Sequence, residues 1–214
     1  MTMQSGITLD TDEGRPTLTS LSDIQTEVKK VGLGVWLLHL DKAPAHIKKL
    51  LGQPDLTDTE TAMVRDYFLL SRERLLEVIA DSGRSPNVPG GGELTTTVTN
   101  EGYSYPQLWL VEPDVDYTRF DRFHINVSKN GTGVDEVMQV VSGKGVIVRI
   151  RSSDGLIYTL TLETQGNRLG WMVSYDGGTP HIGSLSRAAP GTKVVMQVIG
   201  PRNFELRYTG DGGR

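Results

Sequence analysis

The chain has 214 residues and contains four histidines and no cysteine. Thiolate metal sites, cysteine nucleophiles and disulfides are therefore excluded, and a reducing cytoplasm is compatible with the sequence. Polar chemistry must come from imidazoles, carboxylates and hydroxyls. Three short stretches place such groups where they can act. His124-Ile125-Asn126 lies on an expected strand, where alternation with period two puts His124 and Asn126 on one face. Asp135-Glu136 leads directly into the apolar run Val137 to Val141. That run ends in Gly143-Lys144-Gly145, and a second apolar run, Val146 to Ile150, follows, so a tight hairpin carries a carboxylate at its mouth. Gly177-Gly178-Thr179-Pro180-His181 is a turn that delivers a histidine. Imidazole and carboxylate together suit divalent transition metals. Blander roles exist for each. His124 can be a hydrogen-bonded strand residue, Glu136 can pair with Arg149 or Arg151, and His181 can be an exposed turn residue. The other two histidines carry less. His39 follows an apolar run and reads as partly buried and satisfied, and His46, beside Lys48 and Lys49, reads as solvated.

The hairpin and the turn resemble the two sequence motifs of the cupin family. The first family motif runs His-x-His, a few residues, Glu, six residues, Gly. Glu136 and Gly143 match its second half. At the usual distance before Glu136 stand Lys129 and Gly131 instead of histidines. His124-x-Asn126 lies further back, and an enlarged loop at 128–133 (SKNGTG) would let His124 replace one of them. The second family motif is Pro-Gly-x-x-His, with Gly177 here in the proline position. Pro190-Gly191-Thr192, followed by the apolar run to Ile199, resembles the strand that closes the barrel. The likeness spans Leu108 to Tyr208, about half of the chain.

The resemblance implies a double-stranded β-helix barrel with a small-molecule pocket at its mouth. It implies His124, Glu136 and His181 as ligands of Fe, Mn, Zn or Ni, with Asn126 as a weak fourth ligand or an orienting group. Open positions would remain for substrate or oxygen. One carboxylate and two neutral imidazoles cancel half of a divalent charge. Such a site favours an anionic or enolate-like substrate, with the metal as Lewis acid. Oxygenase, lyase or isomerase chemistry follows, with a metal-free binding or regulatory module as the alternative, because the family contains both.

The elements that position these residues fall into two halves, an α+β arrangement that is mainly β. Residues 1–20 read as a loose polar tail without a secretory h-region. Residues 21–84 read as helical. Ser22-x-x-Gln25 and Thr57-x-x-Glu60 are capping-box patterns, and Pro44 and Gly52 bracket a short amphipathic helix. Val64, Tyr67, Phe68, Leu75, Val78 and Ile79 form one apolar stripe on a long helix closed by Gly83. A stripe this wide needs a surface to cover it, which predicts a homodimer. Residues 85–92 (SPNVPGGG) read as a linker, and 93–210 as the barrel, with turn signals at Asn130-Gly131, Asp154-Gly155, Gln165-Gly166 and Asp176-Gly177. The final residues from Gly210 read as frayed. Trp109, Tyr158 and Trp171 read as core, with pocket lining as the lesser option. A net charge of −4 and the lack of a basic block argue against nucleic acid. The longest apolar stretch, Val35 to Leu38, cannot span a bilayer. Gly90-Gly91-Gly92 lacks the lysine of a phosphate loop, and there is no Gly-x-Ser-x-Gly elbow.

Overall fold

The computed structural model describes residues 6–210. In chain order, β1 (Ile7–Thr11), α1 (Leu21–Val28), β2 (Gly34–His39), α2 (Ala45–Leu51), α3 (Asp58–Phe68) and α4 (Arg72–Asp81) form the first part. β3 (Thr97–Val98), β4 (Tyr103–Ser104), β5 (Gln107–Leu110), β6 (His124–Val127) and β7 (Asp135–Ser142) follow. Then come β8 (Lys144–Arg151), β9 (Ile157–Glu163), β10 (Leu169–Asp176), β11 (His181–Ser184), β12 (Lys193–Ile199) and β13 (Asn203–Tyr208). They build two sheets, one of order β2-β10-β7-β12-β5 and one of order β1-β9-β8-β11-β6-β13-β3-β4. The inner faces of the two sheets enclose the main core, where Met138, Val140 and Val173 meet Val148, Leu160 and Leu206. This mainly-β, two-sheet architecture is cupin-like, as the motifs imply.

The two faces of β7 explain how the halves join. Met138 and Val140 point to the inter-sheet core. Val137 and Val141 point the other way, under the helices. With both faces covered, the strand reads as one continuous apolar run rather than an alternation. α2 and α3 cover Val141 and Val195, whereas α4 covers Val137, Met172 and Ile199. The apolar stripe that carried the homodimer expectation is thus spent on the chain's own sheet, apart from Tyr67, which is exposed.

Local sequence misjudged three features of the first half. The stripe from Val64 to Ile79 is two helices. α3 stops where Leu69 turns extended, and Ser71 caps α4 by accepting from the Arg74 N–H at 3.3 Å. Two buried amides from the sheet hold the break. Gln197 accepts from the Leu70 N–H and donates to the Leu70 carbonyl, each at 2.9 Å. Gln139 donates to the Phe68 carbonyl at 2.7 Å. Backbone groups that a continuous helix would satisfy internally are satisfied here from outside. Second, β2 interrupts the helical segment and pairs along its length with β10. Third, within the expected loose tail, Ile7 and Leu9 are buried on β1, which pairs with β9 from Ile7↔Leu162 to Thr11↔Tyr158. Residues 1–5 and 211–214, the start of that tail and most of the expected frayed end, lie outside the described residues.

The capping box at Thr57 and Glu60 forms as expected. That at Ser22 does not, because α1 starts two residues earlier with Ser20 in the cap position and no side-chain bond. Gly143 at the hairpin turn has φ +94°, and a Cβ there would stand 2.1 Å from Thr192 Oγ1. Both facts demand glycine.

Candidate functional site

Strand pairing brings the four singled-out residues to one place. His181, the first residue of β11, pairs directly with His124 of β6. Their rings lie 4.4 Å apart between centroids. Asn126 follows His124 on the same face. The loop 128–133 closes on itself through the Ser128 N–H to Thr132 carbonyl bond at 2.8 Å. That closure lets β7 bring Glu136 back beneath Asn126. Glu136 Oε1 accepts from Asn126 Nδ2 at 2.7 Å and lies 3.3 Å from His181 Nε2. Its Oε2 accepts from the Tyr175 hydroxyl at 3.1 Å. All are buried. The partners of Glu136 are therefore not Arg149 or Arg151, and His181 is a buried strand residue rather than an exposed one. His39, by contrast, is solvent-exposed, 3.7 Å from Asp41, and not partly buried as expected.

Each histidine is oriented by the carbonyl two residues before it. His124 Nδ1 lies 2.9 Å from the Arg122 carbonyl and His181 Nδ1 lies 2.8 Å from that of Thr179. A carbonyl only accepts, so Nδ1 carries the hydrogen in both rings and the neutral ring keeps its lone pair on Nε2. Burial, with the nearby His181, pushes His124 down to about 4, so it is neutral. Burial also pulls His181 down, but the charge and hydrogen bond of Glu136 outweigh it and lift His181 above its ordinary range. Burial pushes Glu136 up, and His181, Asn126 and His124 together hold it below its ordinary range.

A second buried network braces this one. Arg84 Nη1 pairs with Asp135 Oδ1, and Arg84 Nη2 donates to Ser174 Oγ at 3.1 Å. The Asn87 N–H donates to Asp135 Oδ2 at 2.8 Å, while Asn87 Nδ2 donates to Asp176 Oδ1 at 2.7 Å. Asp135 precedes Glu136, and Asp176 opens the turn to His181, accepting from the Gly178 N–H at 2.7 Å. The segment read as a linker thus pins the residues flanking two site side chains. Its prolines and glycines gave no sign of that.

The site forms the closed end of a pocket. Met138, Leu185, Val194, Met196 and Leu206 line its walls, and Tyr103, Tyr105, Trp109 and Phe120 line it toward β4, β5 and the 118–121 turn. The volume open to the centre of a water molecule is ≈ 40 Å³. That is about three waters, at ~10–15 Å³ each. Sequence reasoning missed Tyr175, whose signal is its register opposite Glu136 across the β10–β7 pair. It also missed Tyr103, Tyr105 and Phe120, which come from irregular segments without periodicity. Of the three aromatics read as core, Tyr158 and Trp171 are buried there, whereas Trp109 lines the pocket.

The donor chemistry fits a divalent metal. His124 is neutral with Nδ1–H and leaves Nε2 to ligate, His181 frees its Nε2 once it gives up the proton it shares with Glu136, and Asn126 Oδ1 is buried with no hydrogen-bond partner. Among the described residues, no three His, Asp or Glu side chains already stand at coordinating spacing. Glu136 is instead engaged by three neighbours, and coordination requires it to exchange the His181 contact for the metal.

No family model and no curated protein matches the chain. A similar solved structure is the acireductone dioxygenase from Bacillus anthracis with cadmium ion in its active center. The match has TM-score 0.60 at 16% identity and covers 92% of this chain and 94% of that one. At that identity the likeness speaks for the fold.

Proposed function

We propose that this chain is a metal-dependent dioxygenase of cupin type, acting on a small organic molecule. One observation carries the reading. Two histidines on facing strands, each with Nδ1–H fixed by a backbone carbonyl, flank one carboxylate at the closed end of an apolar pocket. The metal named for the structural neighbour adds support by analogy of fold alone.

His124 Nε2, Glu136 and His181 Nε2 would hold the metal, with Asn126 Oδ1 at its edge. A bound metal there would supply Lewis-acid and redox chemistry. The chain's own groups do the rest. Tyr175 holds Glu136 through Oε2 and fixes which oxygen faces the histidines. The Arg122 and Thr179 carbonyls keep both rings from turning. The apolar walls limit the water beside these groups to about three molecules.

Elemental analysis of protein purified without a His-tag and reconstituted with Fe(II), Mn(II), Ni(II) or Zn(II) tests this. About one metal per chain is expected, falling to near zero in His181→Ala. A second reading has its own support. The contacts that already engage Glu136 suit a metal-free binding module, and failure to take up any of the four metals would favour it.

A further inference from the structure

We infer that the substrate is an aromatic molecule with a chelating pair of oxygens at one end and no charge on the remainder. This rests on the metal-dependent reading. The closed end carries most of the polar partners in the described pocket, His124, Asn126, Glu136, Tyr175 and His181, and the mouth adds only the Tyr103 and Tyr105 hydroxyls and the Trp109 indole N–H. No lysine or arginine lines the pocket. A carboxylate or phosphate tail would lose its hydration there without a counter-charge.

Arg119, which stacks on two of the mouth aromatics, is already committed. The Arg119 guanidinium lies over the Phe120 ring at 4.6 Å and the Trp109 ring at 5.8 Å, and 3.8 Å from Glu101. It closes the outer side of the aromatic cluster and does not project into the cavity. The whole pocket, rings included, has room for about three waters, so a larger guest must open it where Tyr103, Trp109 and Phe120 are only partly buried.

The rings are arranged to receive another ring. Tyr103 meets Trp109 edge-on at 6.0 Å, and Trp109 meets Phe120 edge-on at 5.2 Å. Aromatic groups prefer edge-to-face or offset contacts at such separations, so the cluster offers both ring faces and ring edges to a planar guest. Trp109 is half-buried, which leaves part of the indole for such a contact. The charge count limits the head. A divalent ion with Glu136 and two neutral imidazoles retains one positive charge, which one ionised oxygen balances.

The test uses the Zn(II)-loaded full chain, because zinc binds without redox turnover. Isothermal titration compares three chelators: tropolone, which is aromatic with an uncharged remainder; 2-oxoglutarate, which carries a distal carboxylate; and oxalate, which is a head with no tail. Tropolone is expected to bind at least about tenfold more tightly than 2-oxoglutarate. Trp109→Leu is expected to weaken tropolone by about tenfold while leaving oxalate within about twofold, since oxalate does not reach the mouth. Phe120→Arg, a second variant, should instead raise the affinity for 2-oxoglutarate. Equal or tighter binding of 2-oxoglutarate by the parent overturns the substrate class but leaves the metal site standing. So does a Trp109→Leu effect that is equal for tropolone and oxalate. Failure to take up zinc or any of the other three metals overturns the metal reading itself, and this inference with it.

Discussion

Replacing Arg84 by methionine should remove much of the stability of this fold at neutral pH and much less of it in mild acid. Asp135 is fully buried, and among the described residues Arg84 is its only cationic partner. The Asn87 N–H remains as a donor to the other carboxylate oxygen. Breaking a buried pair from one side costs about 3–5 kcal/mol, because the surviving charge is stranded. The carboxylate has an escape, which caps the loss: it can take up a proton. From an ordinary value of 3.8, protonation at pH 7 costs about 4 kcal/mol, and at pH 5 it costs about 1.6 kcal/mol. The expected loss is therefore about 3–4 kcal/mol at pH 7 and under about 2 kcal/mol at pH 5. The sign follows from proton counting. Burial already pushes Asp135 up, and without Arg84 the folded state binds still more proton than the unfolded chain above 3.8, so the variant loses stability as pH rises. Urea unfolding of parent and Arg84→Met at both pH values measures this. Asp135→Leu in the Arg84→Met background should recover most of the loss, since it removes the stranded charge. A loss below about 1 kcal/mol, or one independent of pH, would refute the argument that a buried charge pair fixes this corner.

Other outcomes follow from the same contacts. Gln197→Ala should destabilise by about 1–3 kcal/mol in urea, because both Leu70 backbone groups lose their partner at once. A shift within error would mean that water replaces the amide without cost. Lys193 is buried with Nζ donating to the Leu51 and Gly191 carbonyls at 3.3 and 3.1 Å, and burial pushes it down to about 8. The folded chain then holds less proton than the unfolded one between pH 8 and 10.5, so the parent should gain stability relative to Lys193→Met across that window. Parallel pH profiles would contradict it. Glu136→Ala and His124→Ala, like His181→Ala, should each abolish metal uptake while leaving the circular dichroism spectrum unchanged, since a core of this size needs no metal staple. Undiminished uptake in His124→Ala would show that another residue completes the site.

Much of the barrel was legible because its signals are local. Lys193 to Ile199 is an unbroken apolar-rich run and is a strand over those residues. Asn130-Gly131 and Asp154-Gly155 mark turns that form where the glycines allow a positive φ. The break between α3 and α4 was not legible, since the amides that stabilise it come from Gln139 and Gln197, far along the chain. β1 and β2 were missed for the same reason, as their partners are β9 and β10 and their own sequences are short. Within the site, alternation set His124 beside Asn126, but nothing local put Tyr175 or the mouth aromatics with them. Composition suggested that residues 85–92 were a spacer. Only the folded chain brings Arg84 and Asn87 onto Asp135 and Asp176.

The pairing of β2 with β10 has a consequence for how the chain comes to be folded in a cell. Residues 34–39 leave the ribosome long before residues 169–174, which they need as a neighbour. At ~5–20 residues per second the delay is on the order of ten seconds. β1 waits somewhat longer for β9. The apolar faces of α2, α3 and α4 also have nothing to cover them until β7 and β12 are made. The N-terminal third is therefore a nascent segment with exposed apolar surface throughout synthesis, and a natural client for a holdase. Cutting the gene at the glycine-rich 85–92 stretch would not yield two domains. It would separate each half from the strands that complete it.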